Sequence, residues 1–140
     1  MSPEPAGDGP LGSLDFVYAP SRDVAAELRR FVDDLGAAPV FAIEAFGARV
    51  AMLRLGDGPP AILLADHVDG DRSILVYRVD DLDAAAKRLA DRGFDPGPEL
   101  GMPYGPCYSF ALAGGHRIAI YELTRPGADD RLGGRFDFDY

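Results

Sequence analysis

The sequence predicts an α+β fold made of two tandem β-α-β-β-β modules, and three observations carry that prediction. The stretch Ser73 to Phe94, SILVYRVDDLDAAAKRLADRGF, reads as strand, turn, helix and stop. Ile74 to Val79 are apolar, β-branched or aromatic apart from Arg78, which is a strand signature. Asp80-Asp81 offers an N-cap, Leu82, Ala85, Ala86, Leu89 and Ala90 recur at helical spacing, and Gly93 stops the helix. The second observation is that this pattern occurs twice. Laying Phe16 on Ile74 also lays Asp23 on Asp81, Val24 on Leu82 and Arg29-Arg30-Phe31 on Lys87-Arg88-Leu89. Dropping one residue then brings Gly36 onto Gly93. So many unlike features in register point to an internal repeat. The third observation is that strand-like segments follow each helix, separated by Gly- and Pro-rich turns.

The elements follow in chain order. Residues 1–12 hold Pro and Gly without periodicity and read as a disordered leader. Leu14 to Ala19 is a strand that Pro20 ends. Ser21 or Asp23 can cap a helix whose stripe is Val24, Leu28, Phe31, Val32 and Leu35. Val40 to Phe46, Arg49 to Leu55 and Ala61 to Ala65 are three strands, and residues 13–67 make the first module. Residues 68–72 are a linker, and residues 73–124 the second module. There, Asp95 to Gly105 is loop-rich with a short strand near Glu99-Leu100. Tyr108 to Leu112 and Arg117 to Leu123 flank a Gly114-Gly115 hairpin turn. The tail, residues 125–140, ends RFDFDY, with Phe136, Phe138 and Tyr140 alternating with charges. That suits a short edge strand, or an arm docked on a neighbour. The two modules together are expected to form one structural domain.

Composition narrows the function classes. The formal net charge is −9 with no basic cluster, so phosphate backbones and anionic membrane surfaces are disfavoured partners. No apolar run approaches the roughly 20 residues of a spanning helix. The N-terminus lacks a basic start and an apolar core, so a secretory signal is not expected. Cys107 is the one cysteine, which fits a reducing cytoplasm. Every basic residue but Lys87 is Arg, and Ala, Gly and Asp abound, as in a GC-rich bacterial genome.

Three segments, LDFVYAPSRDV, LVYRVDDLDAAAKRLADRGF and YGPCYSFALAGGHRIAIYEL, resemble the vicinal oxygen chelate superfamily. That superfamily includes glyoxalase I, bleomycin-resistance proteins and extradiol dioxygenases. The resemblance covers Leu14 to Thr124 and implies paired modules whose mixed, mainly antiparallel sheet curls into a cup. It also implies a homodimer, as in many relatives. Enzymes of the superfamily hold a divalent metal with His, Gln or Glu side chains. Here the implied ligand positions fall on Phe16, on Ala61 or Ile62 depending on register, on Ile74 and on Ala119. None of these side chains offers a lone pair, so neither a metal nor another cofactor is expected, and glyoxalase or dioxygenase chemistry is disfavoured.

The remaining candidates line a cup. Alternation places Phe16 with Tyr18, and Ile74 with Val76 and Arg78, each on one strand face. By the resemblance those faces point inward. Met52 and Arg54 share a face of the third strand, and Met102, Tyr104 and Tyr108 stand near the cup's mouth. Aromatic walls with Tyr hydroxyls and an Arg suit a hydrophobic or planar, even acidic, ligand. The competing reading is that these side chains fill the cup as core. His67 and His116 read as solvated turn residues, although Asp66, Asp69 and Asp71 lie near His67. Cys107 reads as a packed thiol. The expected function is metal-independent binding of a small hydrophobic or aromatic molecule, as in drug-sequestering members. The alternative is a metal-free isomerase, cyclase or lyase drawing a base from Asp15, Glu44, Glu99 or Glu122. A non-catalytic structural or regulatory subunit is the third reading.

Overall fold

The structure, a computed structural model, describes residues 9–45, 47–94 and 96–140. The first half runs β1 (Leu14–Pro20), α1 (Val24–Leu35), β2 (Ala38–Ala45), β3 (Ala48–Arg54) and β4 (Ala61–Ala65). The second runs β5 (Ile74–Val79), α2 (Leu82–Asp91), β6 (Glu99–Leu100), β7 (Cys107–Ala111) and β8 (Arg117–Glu122). A short helix, α3 (Ala128–Leu132), follows. The β-α-β-β-β repeat is therefore present in both halves. Strand ends shift by a residue or two from the sequence expectation, and Phe46 and Asp95 lie outside the described residues.

The strands form one curled mixed sheet in the order β2-β3-β4-β1-β5-β8-β7-β6. In each half the first strand pairs in parallel with the last, β1 with β4 and β5 with β8. The halves meet where β1 and β5 pair antiparallel. The order therefore reads the same from either edge once each strand is exchanged for its repeat counterpart.

Both helices start as the sequence indicates. Asp23 accepts a hydrogen bond from the Ala26 amide at 3.1 Å, and Asp81 one from the Ala84 amide at 3.0 Å. Ser21, the other candidate cap, donates to Glu27 instead at 2.7 Å. Gly36 ends α1 at φ 69°, a left-handed conformation that favours glycine. Each helix covers the same face of the sheet. Val24 and Leu28 of α1 pack on Ala51, Leu53 and Leu64. Leu82, Ala85 and Leu89 of α2 pack on Phe110 and Ile120. The opposite face, which α1 and α2 leave uncovered, forms a single cluster that spans both halves, from Phe41 and Met52 to Ala119 and Tyr121, and Ala128 of α3 packs into it. Among the described residues no helix is long and apolar enough to cross a membrane.

The N-terminal segment departs from the sequence expectation, whereas the tail makes the edge pairing that the sequence suits. Residues 1–8 of the expected leader lie outside the described residues. Residues nearer β1 are tied down. The Gly12 amide donates to the Arg78 carbonyl at 2.9 Å, and Arg78 donates back to the Ser13 carbonyl at 2.8 Å. A Cβ on residue 12 would sit 2.4 Å from that Arg78 oxygen, so glycine permits the approach. The tail pairs with β2 of its own chain. Ala42 donates to the Arg135 carbonyl at 2.9 Å and accepts from Asp137 at 2.7 Å, making a parallel bridge to Phe136. Phe138 packs on the α1 side, with the Arg49 guanidinium 4.4 Å from its ring centre. The otherwise open edge of β2 is thereby covered.

Candidate functional site

The four implied ligand positions cluster at the cup's centre. Phe16 stands opposite Ala61, Val76 opposite Ala119, and Tyr18 opposite Ile74. Ala61 and not Ile62 faces the cup, because Ile62 packs on the α1 side. Phe16 stacks on Tyr104 with ring centres 4.8 Å apart, and meets the edge of Tyr121 at 5.6 Å. A metal does not fit here: the four side chains carry only carbon, and a stacked ring fills the space. Among the described residues no group of three or more His, Cys, Asp or Glu could hold one elsewhere.

Polar atoms at this centre are satisfied within the protein. Tyr121 donates its hydroxyl to Asp15 at 2.5 Å. Simple alternation would send Asp15 to the helix side. The pairing of β1 with β5 shifts register between Leu14 and Phe16, and this bulge turns the carboxylate inward. Tyr104 donates to Asp129 at 2.5 Å, with Met52 Sδ 3.3 Å away. Burial holds both phenols well above the usual tyrosine range. The hydrogen bonds to the carboxylates and their charge add to the shift, while Arg54 and Arg78 oppose it. Burial raises Tyr18 likewise. These phenols stay protonated and serve as donors, not bases. Burial, with Glu99's charge, also pushes the Cys107 thiol up to about 12, so it is no nucleophile at neutral pH.

The sequence-derived candidates thus divide. Phe16, Tyr18, Met52, Ile74, Val76, Met102 and Tyr104 are all buried in the cluster on the face away from α1 and α2. Arg54 is half-buried and Arg78 exposed at the ends of their strands. Tyr108 belongs to the opposite face, against the α2 core, because its neighbour Cys107 takes the inward position on β7. Of the four carboxylates weighed as bases, only Asp15 reaches the cup. Glu44 is exposed beside Arg49, Glu99 is exposed on β6, and Glu122 accepts from the Leu82 amide at the start of α2 at 2.8 Å.

The open space lies to one side of the packed centre. A cavity of about 660 Å³ is bounded by β2 and β3, the Gly101–Pro103 loop and α3. Its apolar walls are Ile43, Ala45, Ala48, Val50, Met102, Pro103 and Leu132. Its polar groups are Tyr18, His67, Arg125, Arg131 and Arg135. Tyr18 donates to the Gly101 carbonyl at 2.7 Å, and its oxygen lies 3.3 Å from His67 Nε2. His67 is thus not merely a solvated turn residue: its ring stands edge-on to Tyr18 in the cavity wall. His67 and His116 are both exposed, the latter beside the Gly114-Gly115 turn. Alternation could have found Ile43 and Val50, but no local signal marked Arg125, Arg131 or Leu132. Asp66, Asp69 and Asp71 line a separate polar cavity with Glu27, and Asp66 accepts from the Arg49 amide at 2.9 Å.

No protein-family profile and no curated protein sequence matches this chain. Solved structures do match it in shape. The methylmalonyl-CoA epimerase of Mycobacterium tuberculosis is similar with a TM-score of 0.69 and 22% identity, over 85% of this chain and 93% of that one. A Streptomyces coelicolor methylmalonyl-CoA epimerase variant, in complex with 2-nitronate-propionyl-CoA, is similar with a TM-score of 0.67 and 16% identity, over 82% and 96%. Another methylmalonyl-CoA epimerase, in complex with methylmalonyl-CoA and NH4+, gives the same values. At such identities the likeness is one of fold.

Proposed function

We propose, since the chain has the vicinal oxygen chelate fold without a donor at any of the four implied ligand positions, that it binds a small apolar molecule without a metal. The observation that supports this reading is the 660 Å³ cavity beside the packed centre. Its size falls among ligand pockets of about 300–1,000 Å³, and it has the mainly apolar walls and few polar groups usual for them. The ligand's body lies against Ile43, Val50, Met102 and Leu132, and the Tyr18–His67 pair supplies a polar anchor. This displaces the expected site from the aromatic centre to its flank. Drug sequestration falls within the reading, as does carriage of a metabolite.

The test uses N-phenyl-1-naphthylamine, an uncharged dye that fluoresces in apolar pockets. Saturable binding of one dye per chain, lost in Val50→Trp, is the expected result. No saturable binding by the folded wild-type protein sinks the proposal.

A second reading, a metal-free isomerase, has its own support. His67 is an imidazole at the cavity wall, within reach of the Tyr18 hydroxyl, and the solved structures above are epimerases. His67 would take a proton from a carbon acid and return it. Incubating methylmalonyl-CoA in deuterated water tests this directly. Deuterium entering the carbon between the two carbonyl groups, and failing to enter with His67→Ala, would establish turnover; equal exchange with and without protein removes this reading.

A further inference from the structure

We infer that the cavity's ligand carries an oxyanion, a carboxylate or a phosphate, which Arg131 recognises at the rim. The inference rests on the proposed binding function and adds the ligand's chemical class. The chain has 23 acidic and 14 basic residues, so a random patch of surface is more acidic than basic. The lining of this cavity inverts that ratio. It includes Arg125, Arg131 and Arg135 and, among the described residues, no Asp or Glu. The polar cavity past the ends of β1 and β4 is acidic, with Glu27, Asp66, Asp69 and Asp71 against Arg22.

The three arginines are not equivalent. Arg135 is neutralised by Asp137, through Nε to Oδ1 at 2.9 Å and Nη2 to Oδ2 at 2.8 Å. Arg125 donates one bond, at 2.9 Å, to the Met102 carbonyl, which orients its guanidinium against the loop without cancelling its charge. Arg131 makes no side-chain hydrogen bond or ion pair with any described residue. Of the two carboxylates on α3, Asp129 is turned to Tyr104 and Asp130 is exposed without an ion pair to Arg131. A guanidinium with five donors in a planar fork matches a carboxylate or phosphate face. An apolar body filling the cavity would exclude water beside this pair and strengthen it relative to an open surface pair. The fold holds net negative charge, so anions gain nothing from the protein as a whole. Recognition of one must therefore be local, and Arg131 with Arg125 behind it is where the structure provides it.

The experiment compares two dyes of nearly the same shape. 8-Anilinonaphthalene-1-sulfonate is N-phenyl-1-naphthylamine with an anionic group added. In Arg131→Gln the sulfonate dye should bind about tenfold more weakly, while the neutral dye changes less than about twofold. Added NaCl should weaken the sulfonate dye alone. Arg131 is exposed on α3, so the substitution leaves the fold intact, and Arg131→Lys should recover only part of the loss. Competition by 2-naphthoate and by 1-naphthyl phosphate then tells which oxyanion is preferred. If the neutral dye binds but the sulfonate dye is indifferent to Arg131→Gln, the anion inference fails and the binding proposal stands. If neither dye binds wild-type protein, both fail.

Discussion

Replacing Phe16 with Ala distinguishes a packed cup centre from a ligand wall. The ring is buried, lies 4.8 Å from Tyr104 in a stack and 5.6 Å from Tyr121 edge-on, and stands opposite Ala61. Truncating a buried Phe costs about 3–5 kcal/mol, from lost transfer energy and the cavity left behind. Two aromatic contacts of roughly 0.5–1.5 kcal/mol each place Phe16→Ala in the upper part of that range. Small neighbours such as Ala61 and Ala119 cannot collapse to fill the gap. Against a total stability of about 5–15 kcal/mol the loss is large, and the melting temperature should fall by roughly 10–20 °C. Urea unfolding followed by circular dichroism measures it, with an unchanged slope showing that the same surface is exposed. Phe16→Leu, which keeps most of the volume, should lose much less. A loss under about 1 kcal/mol for Phe16→Ala would refute the reasoning. The centre would then be space that tolerates emptying, and Phe16 a ligand wall after all.

Three other outcomes follow from the buried polar groups and the tail. Cys107, buried and with its thiol raised to about 12, should react with a disulfide reagent at pH 8 far more slowly in native protein than in urea. Equal rates would show the β7 thiol to be accessible. Tyr18, Tyr104 and Tyr121 have raised folded pKa values, so their protonated forms favour the fold fully below the ordinary tyrosine range near pH 10. Above it the unfolded chain loses protons first, and each group lowers stability by up to about 1.4 kcal/mol per pH unit. Phenolate absorbance should therefore rise in two steps, the second coinciding with unfolding; a single titration of all 6 tyrosines near pH 10 contradicts this. Deleting residues 133–140 uncovers the β2 edge, where Ala42 loses its Arg135 and Asp137 partners. Light scattering should then show larger species than the full chain forms, and an unchanged mass would mean that the tail does not guard the edge.

Much of this molecule is readable from local chemistry. A capping aspartate, a helical stripe and a terminal glycine occur twice, and each is a short-range signal. Period-two alternation then determines which residues share a strand face, so Phe16 and Tyr18, or Ile74 and Val76, could be grouped without coordinates. The absence of donors at Phe16, Ala61, Ile74 and Ala119 was equally legible, because a side chain without a lone pair lacks one in any fold. Alternation fails where the chain breaks its own period. The bulge between Leu14 and Phe16 turns Asp15 inward, while on β7 the period holds and it is its phase, Cys107 in and Tyr108 out, that only the pairing decides. Tertiary structure alone decided the rest. Whether aromatic side chains fill a cup or line it depends on distances between strands far apart in sequence, such as Phe16 to Tyr104. The cavity is made by a tail that returns to β2, bringing Arg125, Arg131 and Leu132 opposite Ile43 and Val50. No local preference encodes that return: it depends on the open edge of β2, whose amides and carbonyls need partners that only a distant segment supplies.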